Sequence, residues 1–452
     1  MKILLIKPET IGIFSYTNLV DHEPLELEYL YTALKNHGHE AFIYDRRHDL
    51  TPLKKRLKQF SPEVVCITGY ITQEKLMKKL TRLIKRFDSN ITVIIGGSHA
   101  EINYSNFFDS QTDYIYLLSG MEYFIKLIDF IGHKSSAVEL EQICGICYRE
   151  EGKWKVNKKV VEDPNDLPEV DRTYFYRNRD RYRYLTFHPL ALIKNSYSCK
   201  NSCTFCYCTN RNLGKYACKK VEKLVNEIMT TDAPNIHITD DNFLTDKEYL
   251  QQFVRLIREK KIDKKYLVYG RADFIAENEE LMAELKDIGL SLVMVGLEAT
   301  TDKELEGYNK EVSARQNEEC VRILNKLDII CAGLFIVHQD MSKDEFKALY
   351  KWIKAKNIIP TISVFTPMQG AAAYPKYKNR LLTLDPRKQD LFHCILKPKH
   401  MSVMRFTYEY YKLSIKLAWA RRKAPLYACI NFGSVIFILK VLLIKLRRIF
   451  VI

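Results

Sequence analysis

The chain alternates between short, continuous apolar runs and longer segments in which apolar residues recur every three or four positions. The short runs read as buried strands and the periodic segments as helices with one apolar face. In the first third, residues 2–6, 41–44, 64–68, 91–95 and 114–118 are runs of the first kind. Residues 25–35, with Leu27, Leu30, Tyr31 and Leu34 on one face, and residues 76–87 are of the second kind. Strand and helix in alternation predict a doubly wound parallel sheet over residues 1–135. Such sheets bind ligands beyond the carboxyl ends of their strands. Thr68, Gly69, Gly96, Gly97, Ser119 and Gly120 all fall at such ends. Glycine there lets a bulky ligand approach the backbone.

Residues 136–190 read as a connector, with a small hairpin around Glu150-Glu151-Gly152 and a turn-rich linker at 163–168. Cys144 and Cys147 adjoin that hairpin with no second pair nearby, so they read as structural thiols. Residues 172–183, rich in Arg and Tyr, suit either a solvated interdomain surface or a polar lid. The alternation then restarts. Strands are expected at 191–195, 235–239, 266–270, 292–296, 330–337 and 361–365, with helices at 219–230, 246–260, 279–288, 314–326 and 343–355. Six strand–helix units predict a partial parallel (β/α)6 barrel over 191–375, whose chemistry collects at the carboxyl ends of its strands.

Residues 376–452 read as a helical tail. Phe406, Tyr410, Leu413 and Leu417 stand at helical spacing and read as core. Residues 427–439 are nearly all apolar, and 441–444 continue the run past Lys440, with Lys445, Arg447 and Arg448 beyond. A spanning helix needs about 20 predominantly apolar residues, and Lys440 interrupts this one. A basic helix lying in a membrane interface is the expectation, with packing on the barrel or one true span as alternatives.

Composition changes this picture little. The net charge of +15 fits an anionic partner without choosing one. Twelve cysteines and a start too soon charged for a signal peptide point to the cytoplasm, with the tail at the inner face of the membrane.

The chemistry is concentrated at Cys199, Cys203 and Cys206, spaced C-x3-C-x2-C on the loop that leaves the first barrel strand. Three thiolates on a 4Fe–4S cube leave one iron open. An open iron can chelate a small molecule through an amine and a carboxylate. Structural thiols, or a zinc site completed from elsewhere, are the alternatives.

The spacing, with Phe205 before the third cysteine, resembles the signature of the radical S-adenosylmethionine (SAM) superfamily. The resemblance covers residues 190–375. It implies that SAM sits on the open iron and yields a 5′-deoxyadenosyl radical that takes hydrogen from an unactivated carbon. By position, Asp240 or Asp241 is expected near the SAM amino group, Arg271 near its carboxylate, and Glu298, following Gly296, near its ribose. The family often has glycine where this chain has His338, which reads as a wall residue or a proton donor, the wall being favoured. Residues 1–135 resemble the cobalamin-binding domain that precedes many radical SAM cores. The likeness rests on the Gly38-His-Glu turn, Asp45, Gly96-Gly97-Ser98-His99 and Gly120-x-Glu122. No Asp-x-His-x-x-Gly is present, so a histidine cobalt ligand from that motif is not expected.

These resemblances imply a cobalamin-dependent radical SAM enzyme that methylates an unactivated carbon of a hydrophobic or lipid-like substrate. They also imply a reductant protein such as flavodoxin or ferredoxin. A cyclase or ring-rearranging enzyme with the same cofactors, like the anaerobic porphyrin-ester cyclases, is the second reading. A non-catalytic iron–sulfur or cobalamin-binding protein is the third. An RNA methylthiotransferase would need an amino-terminal cluster, and Cys66 is the only cysteine before residue 144, so no nucleic acid is expected.

Overall fold

The structure is a computed structural model, in which residues 1–9, 19–132 and 139–427 are described. The expected anchor, from Tyr427 to Ile452, lies almost wholly outside the described residues. The chain divides into two compact units. Among described residues the first holds Met1–Asn178 and Asn210–Ala217, and the second holds Arg179–Thr209 and the residues from Cys218 onward.

In the first unit the expected strands form as β1 (Lys2–Lys7), β2 (Glu40–Asp45), β3 (Val64–Ile67), β4 (Thr92–Ile95) and β5 (Tyr114–Tyr116). The hairpin assigned by sequence to a connector, β6 (Ile146–Glu150) and β7 (Lys153–Val156), is hydrogen-bonded to the same sheet. The order is β2-β1-β3-β4-β5-β6-β7, parallel through β5 and antiparallel beyond. Antiparallel pairing at an edge needs no crossover helix, so a short hairpin can close the sheet. Alternate residues of β1 feed two cores. Leu4 and Ile6 pack with Leu53, Leu57, Met77 and Leu80. Ile3 and Leu5 pack with Leu27, Leu34, Phe124 and Leu127. Both faces are therefore covered, which is why these strands read as continuous apolar runs. The helices Leu53–Phe60 and Ser98–Asn103, too short to show a period, were not legible in the sequence.

In the second unit β8 (Leu190–Ile193), β9 (Asn235–Ile238), β10 (Lys265–Arg271), β11 (Leu290–Glu298), β12 (Ile330–Val337) and β13 (Ile359–Val364) form one sheet. Its spatial order is the chain order, and every neighbouring pair is parallel. Unlike the first sheet, it never reverses direction, as a barrel-type winding requires. Two of the intervening helices begin at serine capping boxes, Ser313 with Gln316 and Ser342 with Glu345. The tail helix Val403–Arg421 covers the last unit of this sheet, burying Phe406, Tyr410, Leu413 and Leu417 as expected. Tyr410 Oη donates to Ile362 O at 3.1 Å, and the Phe406 and Phe346 rings meet at 5.7 Å. No helix among the described residues is long and apolar enough to cross a membrane.

Candidate cofactor sites

In the second unit the cysteine loop leaves β8 and is tied down at both ends. Asp240, just past β9, accepts hydrogen bonds from Asn195 N (2.9 Å), Ser196 N (2.8 Å) and Asn195 Nδ2 (3.0 Å). Burial pushes its carboxyl above the ordinary range, and Lys194 with those amide donors pulls it back. Both oxygens are therefore committed to the loop, and Asp240 acts as its anchor. Farther along, Thr204 N donates to Tyr308 O at 3.0 Å, Asn309 Nδ2 to Ser202 Oγ at 3.0 Å, and Ala373 N to Thr204 O at 2.8 Å. Ser198 turns the chain into the loop with φ +62°, a left-handed conformation costly for a residue with a Cβ.

Asp241 differs from its neighbour. Its Oδ2 is buried and has no hydrogen-bond partner. Leaving such an acceptor unmet costs about 1–3 kcal/mol, which an arriving ammonium would relieve. This orphaned oxygen fits the expected SAM amino group.

Cys199, Cys203 and Cys206 are free thiols. The Cys206 thiol is held below its usual range, chiefly by a hydrogen bond from the Cys208 side chain; Cys208 N also donates to Cys206 Sγ at 3.4 Å. Burial pushes the Cys203 thiol up, while Lys310 and Arg271 pull it down. The Arg271 guanidinium stands with Nη1 3.9 Å from Cys203 Sγ. It is oriented by Asp273, which accepts from Nη2 at 2.8 Å, and by Lys310 O at 2.7 Å. Thiolates beside two fixed cations suit an anionic cluster. Among the described residues no three His, Cys, Asp or Glu side chains are grouped to hold a single metal ion. A cube takes one thiolate per iron, so its ligands need not crowd around one point.

Glu298 ends β11 in a left-handed conformation, φ +58°. Its Oε1 accepts from the buried Lys310 Nζ at 3.1 Å. A Cβ on Gly296 would lie 2.5 Å from Glu298 Oε1 and 2.7 Å from Lys310 Nζ, so only glycine leaves room for this pair. Lys310 and Asp273 escaped the sequence reading because neither Lys310, in a loop beside Glu311, nor Asp273, in the first turn of the short helix Ala272–Glu277, has a spacing to betray it. Phe205 begins a run of aromatic contacts. It meets Tyr308 edge-on at 5.5 Å, Tyr308 stacks on Phe365 at 5.9 Å, and Phe365 meets His338 at 4.7 Å and Tyr377 at 5.0 Å. Burial pushes the His338 imidazole down to about 4, so at neutral pH it is uncharged. That packing fits a wall residue.

In the first unit the spatial order reverses at β1, and its neighbour β3 is followed by Thr68 and Gly69. Sheets of this order bind ligands at such a reversal. Gln73 Nε2 donates to Pro8 O and Glu9 O, joining the ends of the two strands. Gly97 has φ +93°, and a Cβ there would come within 2.4 Å of Thr68 Oγ1 and 2.9 Å of Gly69 N. Gly120, with φ +100°, would direct a Cβ into open space, and one on Gly96 would meet nothing closer than 3.6 Å. Of these four strand-end glycines only Gly120 faces open space; Gly96 packs on Tyr116, and the room left at Gly69 and Gly97 is taken by Met77 and Thr68. Ser119 points elsewhere: it is buried, and Oγ accepts from Val160 N at 3.3 Å. His99 is also committed, with Nε2 2.9 Å from Glu74 Oε2. Beside Gly120, Glu162 Oε1 accepts from Gly120 N at 2.8 Å, and burial with the Glu101 charge pushes its carboxyl up to about 7. Glu101 accepts from Arg211 Nε at 3.0 Å and Asn212 N at 2.9 Å, and pairs with Lys159.

Comparison with known proteins matches residues 195–353 to the Radical SAM superfamily and residues 17–127 to the B12 binding domain. An uncharacterized methyltransferase of Pyrococcus horikoshii is 24% identical over 421 residues, covering 89% of each chain. The hopanoid C-3 methylase of Methylococcus capsulatus is 23% identical, over 88% of this chain and 76% of that protein. An anaerobic magnesium-protoporphyrin IX monomethyl ester cyclase of Cereibacter sphaeroides is 22% identical, over 84% and 64%. Among solved structures, the radical SAM methyltransferase TsrM of Kitasatospora setae shares the fold with TM-score 0.64 at 17% identity, over 90% of this chain and 85% of that one. The cobalamin-dependent radical SAM enzyme OxsB gives TM-score 0.65 at 17% identity, but this chain spans only 55% of it. The radical SAM domain implies a 4Fe–4S cluster and SAM, the B12 domain implies cobalamin, and the residues described above fit all three. The chain is a cobalamin-dependent radical SAM enzyme, with a B12-binding domain preceding the radical SAM domain.

Proposed function

We propose that this enzyme transfers a methyl group to an unactivated carbon of a hydrophobic, lipid-like substrate. The observation that carries the reading is the likeness to a hopanoid methylase across both domains, 88% of this chain. The apolar wall of Tyr308, Phe365, Tyr377 and uncharged His338 supports it, since a buried charge there would penalise a greasy substrate. When bound, the cofactors supply the radical and the methyl group. The chain's own part is to hold them. Cys199, Cys203 and Cys206 would ligate the cluster, with Arg271 and Lys310 as its counter-charges. Asp241, Glu298 and Phe205 would orient SAM, and the strand ends at Gly69, Gly97 and Gly120 would seat cobalamin. A reductant protein such as flavodoxin or ferredoxin is needed to deliver electrons.

The test is anaerobic incubation of the reconstituted enzyme with a lipid extract and SAM deuterated in its methyl group. Mass spectrometry should find lipids heavier by one deuterated methyl. The cyclase relative motivates a second reading, ring formation with the same cofactors. It would give products that have lost hydrogen and carry no label.

A further inference from the structure

The tail helix Val403–Arg421 has two apolar faces. Phe406, Tyr410, Leu413 and Leu417 face the sheet. Met404, Tyr408, Tyr411, Ile415 and Trp419 recur at the same helical spacing on the opposite side, and all five are exposed: 83%, 55%, 48%, 67% and 61%. One helix in a folded protein normally needs one apolar stripe, and a second, solvent-facing one marks a docking surface.

Charge decides the occupant. Arg405, Lys412 and Lys416 line one flank of the outer stripe, and Arg422 follows it. Several lie over its rings: Arg405 and Lys412 over Tyr408 at 5.3 and 5.4 Å, Arg422 over Trp419 at 4.3 Å. The helix's one acidic residue, Glu409, is buried and already paired with Arg405 and Lys412. The adjoining helix Lys343–Ala355 exposes Lys347, Lys351 and Lys354, against Asp344 and Glu345 at its first turn. An apolar stripe containing Trp and Tyr and flanked by Lys and Arg has the chemistry of a helix lying in a bilayer interface. The residues after Tyr427 are apolar too, but their charges at Lys440, Lys445, Arg447 and Arg448 are basic. Docking that segment on the stripe would set like charges together, whereas one anionic surface can receive both.

We propose that the outer face of Val403–Arg421 is a membrane-contact surface for anionic lipid. It needs no substrate assignment, so it stands or falls separately from the methylation reading.

The test uses the full chain with its cluster reconstituted. Sedimentation is measured with vesicles of equal parts phosphatidylglycerol and phosphatidylcholine, and with phosphatidylcholine alone. Binding is expected to the anionic vesicles, weakening by about tenfold in the double variant Ile415→Glu/Trp419→Glu and by a similar factor on raising salt. Iron content and melting temperature of the variant should match the parent. Should the variant misfold, the parent carries the test: bromine in the lipid acyl chains should quench tryptophan emission, and Trp419→Phe should remove that quenching. Equal binding to neutral vesicles would overturn the proposal. So would unchanged binding in the double variant, which would move the contact elsewhere. Concentration-dependent dimers that dissociate in the double variant, without vesicle binding, would make the stripe an interface between copies of the chain.

Discussion

The two units build their candidate sites by the same rule and by opposite means. Each puts its candidate residues at the carboxyl ends of parallel strands. In the second unit those ends carry committed side chains: Asp240 on the cysteine loop, Arg271 on Asp273 and Cys203, Lys310 on Glu298. In the first unit they carry glycines, with Gly69 and Gly97 fitted against Met77 and Thr68, and Gly120 facing open space. A site that must hold a charged cluster and a zwitterionic ligand is built from charges in fixed places. A site for a broad, flat cofactor is built by removing side chains. The first kind therefore fails through lost contacts, and the second through added atoms.

The largest effect should come from the cysteines. Changing Cys199, Cys203 and Cys206 together to Ala should abolish iron and sulfide incorporation while leaving cobalamin uptake in place, measured by metal analysis of one preparation. Next, Asp240→Ala should unfold the cysteine loop. Three buried donors would lose their acceptor, at about 1–3 kcal/mol each, read as a fall in melting temperature before any cofactor is added. Asp241→Asn should leave that temperature alone and weaken SAM binding by about tenfold in equilibrium dialysis. Equal effects from the two aspartates would erase the distinction drawn between them.

Gly97→Ala should cost about 1–3 kcal/mol, because the left-handed φ and the clash with Thr68 act together, and should prevent cobalamin uptake. Gly120→Ala meets no clash within the chain, so it should cost only the backbone strain, about 1–3 kcal/mol, and weaken cobalamin uptake by placing a methyl in the open space. The smallest effect concerns pH. The Glu162 carboxyl is pushed up to about 7, so the folded state prefers it protonated. Its contribution to stability is fully present below its ordinary carboxyl range and is lost as pH rises through about 7. Glu162→Gln should flatten the melting temperature across that window, visible in thermal melts at several pH values.

The same contrast explains what could be read from the chain. Apolar runs located both parallel sheets, because strands covered on both faces leave continuous hydrophobic stretches. The cysteines stood out by their spacing, and strand-end position pointed to Arg271, Glu298 and either Asp240 or Asp241. The partners of those residues stayed hidden. Lys310 stands in an irregular loop, and its burial beside Glu298 follows from β11 ending in a left-handed residue above Gly296. Asp240 and Asp241 were indistinguishable in sequence, because which one faces the loop depends on one turn of backbone. Ser119 stood at the right strand end, yet Leu118 adopts φ +55° and the serine is buried, its Oγ accepting from Val160 N. The hairpin itself read as a connector because strands of four or five residues carry no address for the sheet they will join.

The central claim is that one chain carries both cofactor sites, one made of side chains and one of backbone. Iron, sulfide and cobalt should be counted on the same anaerobically reconstituted preparation, beside the three-cysteine variant and Gly97→Ala. About four iron and one cobalamin per chain are expected, with each variant losing only its own cofactor. A chain that fills its cluster but takes up no cobalamin, or iron that persists without the three cysteines, would contradict it.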